Sequence, residues 1–310
     1  MEIRTVGIVG MGALGVLYAE QFVAGLGKEQ VPVLCDEKRR ERYMRDGFFS
    51  NGRQVEFCYM TPQEAAENGP LDLILFSVKY GALADAIEMV RPLVGPRTTL
   101  LSVLNGVVSE YELAAAFGRE KVVFCVAQSM DAFKLGNRMT YLNRGDLCLG
   151  VEEDAPAAAR ERLEAVCKLF DRCRISYLRP SDIIVHLWGK LMVNVGVNQA
   201  VTLYGGHFSD VQKEGEGRRQ MIAAMKEVFP VAKAEGVALD EDSLPYWIGL
   251  IDGLDPSGAP SLTQDILAGR KTEVELFSGT ICCLGRKHGI PTPVNADFYR
   301  RIMELEDHHD

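Results

Sequence analysis

The first 180 residues alternate two kinds of segment, and this alternation constrains the fold more than any other feature. Short apolar, β-branched runs lie at 5–10 (TVGIVG), 31–35 (VPVLC), 71–78 (LDLILFSV), 98–104 (TTLLSVL) and 121–127 (KVVFCVA). Stretches with helical spacing or dense charge separate them. A run such as LDLILFSV has no polar side to turn to water, which suits a strand in a parallel sheet covered on both faces. Over 12–26, Leu14, Leu17, Tyr18, Phe22 and Leu26 share one helical face. Further helices are expected after Asp36, over 81–93 and over 109–117. The pattern predicts a Rossmann-type, doubly wound parallel sheet.

Around this frame, Asn51-Gly52 marks the turn of a hairpin in SNGRQVEFCY. Residues 129–150 read as antiparallel strands. A helix is expected over 155–172, with Asp154 as its cap and Pro156 in its first turn. ISYL (175–178) is the last strand signal, and RPSD (179–182) ends the pattern. Helical periodicity dominates from there, with breaks near 205–209, 236–242 and 253–261. The chain is therefore divided into an α/β domain, 1–179, and an all-helical domain, 180–310.

Composition narrows the function. The net charge is −9, so no basic footprint for nucleic acid is present. No run of about 18 apolar residues exists, so no membrane span is expected. The N-terminus lacks the apolar core of a signal peptide, which points to the cytoplasm. The eight cysteines form no C-x-x-C pair and several sit in apolar runs, as small buried hydrophobes do in a reducing compartment. His308 and His309, between carboxylates at the C-terminus, make a poor preformed chelate and read as an exposed tail. No metal site is expected.

GIVGMGALG (7–15) supplies the first chemistry. Gly10, Gly12 and Gly15 match G-x-G-x-x-G between a predicted strand and a predicted helix. Gly10 allows the tight turn, Gly12 lets a pyrophosphate approach the backbone, and Gly15 lets helix and strand pack closely. Met11, Ala13 and Leu14 complete this dinucleotide cradle at the helix N-terminus, where N–H groups and the helix dipole favour an anion. Asp36 follows the second strand at the position of a ribose-reading acid, which favours NAD(H). Lys38, Arg39 and Arg40 come next and are basic enough to hold a 2′-phosphate, so the choice between NAD and NADP stays open. Lys79 and Asn105-Gly106 follow predicted parallel strands at the edge where open α/β sheets bind ligands. Ser129 lies on the same edge.

In the helical half, the apolar segment 183–205 carries one polar stripe: His186, Lys190, Asn194 and Asn198, four apart. Burying amides or an ammonium without partners is expensive, so this face is expected to line a polar cleft. Glu273 falls in line with Leu276, Phe277, Thr280 and Ile281, as a carboxylate heading an apolar helix stripe. Ser261 with Gln264 fits a capping box, and fits a binding role equally. Arg270, Lys271 and Glu275 read as solvated charges.

Taken together, GMGALG, SVKYGALADAI, LNGV, WGKLMVNVGVNQ and SLTQDILAGRKTEVELFSG resemble the ketopantoate reductase family along essentially the whole chain. The resemblance implies NADPH-dependent reduction of a 2-keto acid, ketopantoate, in pantothenate synthesis. It assigns Lys190 as general acid and Glu273 as a substrate-binding, site-orienting carboxylate. Asn194, Asn198 and Ser261 would hold the substrate, and Asn105 and Lys79 would lie at the junction of cofactor and substrate. Three positions depart from the family. Asp36 stands where an arginine is common, Asn198-Gln199 replaces Asn-Pro, and YGGHF (204–208) replaces a further Asn-Gly. A dehydrogenase for another hydroxy acid remains an alternative. A coenzyme sensor without chemistry would not need the lysine, the two asparagines and the glutamate. The apolar helices suit a monomer or a homodimer.

Overall fold

The apolar runs of the first half become strands of one eight-stranded sheet. The computed structural model describes residues 1–307; His308 and His309 lie outside the described residues. Twelve strands are found among the described residues: β1 (Val6–Val9), β2 (Pro32–Leu34), β3 (Phe48–Ser50), β4 (Arg53–Val55), β5 (Cys58–Met60), β6 (Leu73–Phe76), β7 (Thr99–Ser102), β8 (Val122–Gln128), β9 (Phe133–Leu135), β10 (Arg138–Thr140), β11 (Asp146–Gly150) and β12 (Tyr177–Leu178). The main sheet has the order β12-β11-β8-β7-β6-β1-β2-β5. From β5 to β8 all neighbours are parallel, β11 turns antiparallel on β8, and β12 pairs parallel with β11. Strand order reverses at β1, with β2 on one side and β6 on the other, so the sheet is doubly wound.

Side chains alternate across this sheet. Ile8, Leu73, Leu75 and Leu101 enter one apolar cluster; Val9, Ile74, Phe76 and Leu100 enter another on the opposite face. Six helices cover the two faces: α1 (Ala13–Leu26), α2 (Glu37–Asp46), α3 (Pro62–Glu67), α4 (Leu83–Val90), α5 (Ser109–Phe117) and α6 (Ala157–Cys173). Phe22 of α1 and Phe170 of α6 meet with ring centroids 6.0 Å apart. Fully burying such a side chain stabilises the fold by roughly 1.5–3 kcal/mol.

A second sheet, β4-β3-β10-β9, contains the expected hairpin. Asn51 (φ 46°) and Gly52 (φ 80°) both take the left-handed region that a two-residue turn matching strand twist requires. Two local expectations are corrected. Cys58–Met60 does not continue that hairpin; it is the parallel edge strand beside β2. Asp154 does not cap α6. Pro156 occupies the cap position with no side-chain bond, and Asp154 is drawn instead into an ion pair with Arg119.

By internal contacts the chain divides at Ile183, with one unit spanning Met1–Ile183 and the other beginning at Ile184. The second unit holds helices and no strand among the described residues: α7 (Ile183–Val193), a π-turn (Asn194–Asn198), α8 (Gln199–Tyr204), α9 (Ser209–Gln212), α10 (Glu216–Lys226), α11 (Val228–Ala234), α12 (Leu244–Asp252), α13 (Ser261–Leu267), α14 (Ser278–His288) and α15 (Pro293–Asp307). No helix among the described residues is long and apolar enough to cross a membrane. All eight cysteines are free thiols, six of them buried.

Candidate functional site

Loops after β1, β6 and β7 leave the same edge of the sheet, because these three strands are parallel neighbours. They carry the glycine motif, Lys79 and Asn105. Gly10 has φ 98°, and a Cβ there would lie 2.7 Å from the Ser77 carbonyl oxygen. At Gly15 a Cβ would lie 2.0 Å from the Gly10 carbonyl oxygen, so only glycine lets α1 start this close to β1. Gly12 is exposed, and its absent Cβ would have only the Ser77 carbonyl oxygen, 3.6 Å away, within reach. It is the cap residue of α1, has no side chain to satisfy the first-turn N–H groups, and is followed by no acidic residue in that turn. Met11 is buried, while Ala13 and Leu14 are partly exposed. A helix start with free donors, no competing carboxylate and open space at Gly12 fits a dinucleotide pyrophosphate. Ser77, which sequence reasoning passed over, braces the turn: its hydroxyl donates to the Gly10 carbonyl at 2.7 Å and its amide to Val9 at 2.8 Å.

Asp36 has a structural task beside any reading of ribose. It caps α2, its Oδ1 accepting from the Arg39 amide at 2.7 Å, and its Oδ2 lies 3.4 Å from the Arg39 guanidinium. Arg40 is taken by Glu37 and Glu64 at 2.7 and 2.6 Å. That pairing, with the Thr61 amide and hydroxyl, holds the Glu64 carboxyl down at about 2. Of the basic run after β2, Arg40 is therefore committed to neighbouring carboxylates. Lys79 is exposed at the turn after β6, and Asn105 is partly buried after β7.

In the second unit, the polar stripe runs through a change of helix type. At 3.6 residues per turn, twelve residues from His186 to Asn198 would swing the stripe by about 120°. The π-turn at Asn194–Asn198 widens one turn and counters that drift. Asn198 Nδ2 donates to Asn194 Oδ1 at 3.4 Å, showing the two amides side by side. Asn194 is 5% exposed, and its Nδ2 has no hydrogen-bond partner. A buried donor left open in this way is rare, and it suits a polar group of a ligand. Lys190, one turn earlier, is partly exposed, and burial of its ammonium lowers its pKa from the ordinary lysine value. His186 is lowered too, by burial first and then by the Lys190 charge.

Packing explains how this helix holds its shape. A Cβ on Gly189 would lie 2.1 Å from the Trp247 ring, and one on Gly196 would lie 2.4 Å from Met225. Both glycines let neighbours press against the helix. Gln199, where the family commonly has proline, is fully buried; its Oε1 accepts from the Ser278 hydroxyl at 2.5 Å, and Asn295 Oδ1 lies 3.0 Å from the same hydroxyl oxygen. The departure from Asn-Pro thus anchors α8 on α14 and α15. Thr202 and Thr263 share a hydrogen bond of 2.8 Å that ties α8 to α13, which begins at Ser261. YGGHF stops α8: Gly206 (φ 104°) donates its N–H back to Val201, and His207 Nδ1 lies 3.0 Å from the Ser257 carbonyl oxygen.

Two expectations change here. The capping box at Ser261 does not form. Pro260 is the cap residue, Gln264 Nε2 donates to the Ala259 carbonyl, and Ser261 is exposed. Glu273 does not head a continuous helix stripe. It precedes a 3₁₀ turn, Val274–Leu276, and Phe277 (φ −99°, ψ −99°) breaks the chain before α14. Apolar burial of Leu276, Phe277 and Ile281 produced the periodicity, while Glu273 itself stays partly exposed. Arg270 pairs with Asp265 at 2.9 Å, and Glu275 is exposed as expected. Among the described residues no group of three or more His, Cys, Asp or Glu is placed to hold a metal.

Known proteins align with both halves. Residues 6–152 match the family model for ketopantoate reductase PanE/ApbA, and residues 182–306 match the model for the C-terminal part of ketopantoate reductase PanE/ApbA. A 2-dehydropantoate 2-reductase of Aquifex aeolicus is 24% identical over 305 residues, covering 97% of this chain and 96% of that protein. The fold is shared with D-mandelate dehydrogenase in a ternary structure with NADH and anilino(oxo)acetate, at TM-score 0.85 and 20% identity over 98% of this chain and 99% of that one. It is shared as well with a dimeric ketopantoate reductase from Staphylococcus aureus, at TM-score 0.80 and 19% identity over 99% of this chain and all (100%) of that one.

Proposed function

This chain belongs to the ketopantoate reductase family, and from that premise we propose that it reduces ketopantoate to pantoate with a nicotinamide coenzyme. The observation that carries the reading is the helix through Lys190, Asn194 and Asn198, where a desolvated ammonium precedes two buried amides, one with an open donor. In this reading Met1–Ile183 is the dinucleotide-binding domain and the helical unit supplies the substrate groups.

The residues at the edge of β1, β6 and β7 are assigned to the coenzyme: Gly10 to Gly15 at the pyrophosphate, Asp36 at the ribose, Lys79 and Asn105 toward the nicotinamide. When bound, the reduced coenzyme supplies a hydride. Lys190 holds a proton at Nζ and places a positive charge where the ketone oxygen becomes negative. Because burial lowers its pKa, Lys190 gives up this proton more readily than an exposed lysine. Asn194, Asn198 and Ser261 offer N–H and O–H donors to the substrate carboxylate and carbonyl. Glu273 accepts from the distal hydroxyl. Asp36, at the end of β2 with Arg40 already committed to Glu37 and Glu64, favours NADH over NADPH.

A reductase of a bulkier 2-keto acid is the second reading. It is favoured by the His186 ring, which lies 5.5 Å from Trp247 one turn before Lys190 and gives the polar stripe an aromatic end. Initial rates with ketopantoate, benzoylformate and branched 2-keto acids, each with NADH and NADPH, test both. The first reading expects the highest kcat/KM with ketopantoate; a clear preference for benzoylformate selects the second, and no coenzyme oxidation with any substrate removes both.

A further inference from the structure

Glu110, near the start of α5, is a carboxyl that the reaction does not use. It is 1% exposed, and burial raises its pKa to about 7. The Ser109 hydroxyl and the amides of Glu110 and Cys125 pull in the opposite direction. Its Oε1 has no hydrogen-bond partner. Leaving a buried carboxyl half-satisfied is expensive, so its placement asks for a reason.

That reason lies in what its other oxygen holds. Ser109 Oγ donates to Glu110 Oε2 at 2.8 Å. With the Ser109 proton committed there, Ser102 Oγ must donate to Ser109 Oγ across their 2.8 Å contact. Ser102 Oγ in turn accepts from the Leu104 amide at 3.2 Å. The chain runs in one direction, from Leu104 N–H through two hydroxyls to the carboxyl. Ser102 and Ser109 are buried, at 0% and 1% exposure, so water does not compete. Ser102 ends β7, Leu104 directly precedes Asn105, and Gly106 turns with φ 91°. The carboxyl thus anchors the stem of the Asn105 loop.

We propose that Glu110 is a positioning residue: it sets the Asn105–Gly106 loop through the Ser109–Ser102–Leu104 chain and tightens that loop when it ionises. Hydrogen bonds to a charged acceptor are roughly twice as strong as neutral ones, and in a directed chain each bond polarises the next. The Glu110 charge is felt by the Cys125 thiol of β8 and the Tyr111 phenol of its own helix, and Cys125 also feels the Cys148 thiol of β11. Protonation of Glu110 therefore weakens the anchor and ionisation strengthens it.

The inference rests on the proposed coenzyme role of the Asn105 loop. Its test is the Kd of NADH and of NADPH, read from nicotinamide fluorescence with the whole protein at about pH 6 and about pH 8, either side of the Glu110 titration. The native protein is expected to bind at least about threefold more tightly at the higher pH. Glu110→Gln keeps an acceptor for Ser109 without the charge, so its Kd should not change between the two pH values. Glu110→Leu removes the acceptor and should bind more weakly than either at both. A native Kd independent of pH, or the same pH dependence in Glu110→Gln, overturns the proposal even if the protein is an active reductase. The expected pattern in a protein that reduces no 2-keto acid leaves the anchor standing and removes the functional reading. Absence of binding by either coenzyme removes both.

Discussion

Lys190 holds a proton where burial works against holding it. Charging it opposes folding: the folded state binds its proton less tightly than the unfolded chain, so this term of stability grows as pH rises through the folded pKa. In its proposed role as acid it behaves oppositely, and turnover should fall as pH rises through the same value. Lys190→Ala should lower kcat by at least about 100-fold, and near-normal turnover would remove it from the reaction. Asn194→Leu separates stability from activity: removing the open Nδ2 should raise Tm above that of the native protein while kcat/KM falls at least about tenfold. A lower Tm would show that the amide is satisfied in the folded protein. Asp36 is tested by two variants. Asp36→Asn keeps a good cap, while Asp36→Arg loses one worth about 1 kcal/mol. Both should raise the NADPH-to-NADH ratio of kcat/KM, the arginine by about tenfold or more, and only the arginine should lower Tm. An unchanged ratio in both would show that Asp36 serves α2 alone.

Elements were legible where a single periodicity governed them. The strands β1, β2, β6, β7 and β8 follow from uninterrupted apolar runs, and α1 follows from one clean face. The glycine motif was legible because strand, turn and helix must all agree there. Gly15→Ala should therefore abolish measurable coenzyme binding and lower Tm, since its Cβ would strike the Gly10 carbonyl; retained affinity would show that α1 can slide away from β1. Four features escaped the sequence. The π-turn has no composition of its own, since apolar neighbours and two asparagines suit an α-helix as well. The break at Phe277 was hidden because Leu276, Phe277 and Ile281 are buried on both sides of it, preserving the spacing while the backbone turns. Ser261 carried two readings that only the bonds of Gln264 could separate. The Ser102–Ser109–Glu110 chain was silent because its members look like an ordinary helix start.

At the scale of the whole molecule, two units meet different demands. The first buries apolar strands beneath helices on both faces of a sheet; the second binds its helices partly through polar groups such as Gln199, Ser278 and Asn295. Cross-links play no part in holding either together. A disulfide reagent such as DTNB should modify one thiol quickly in the native protein, Cys283, and eight after unfolding, with Cys58 intermediate in rate. Fast modification of several thiols would show that the buried set is reached by local opening.

The main sheet ends in β12, two residues long, and β5, three residues long. Open backbone at a sheet edge is what another chain needs in order to add a strand, and a long flat edge invites such growth. Here both margins run out within a few residues. A partially opened copy finds too little ladder to lengthen, and a sheet whose central strands are continuous apolar sequence avoids becoming a template for aggregation.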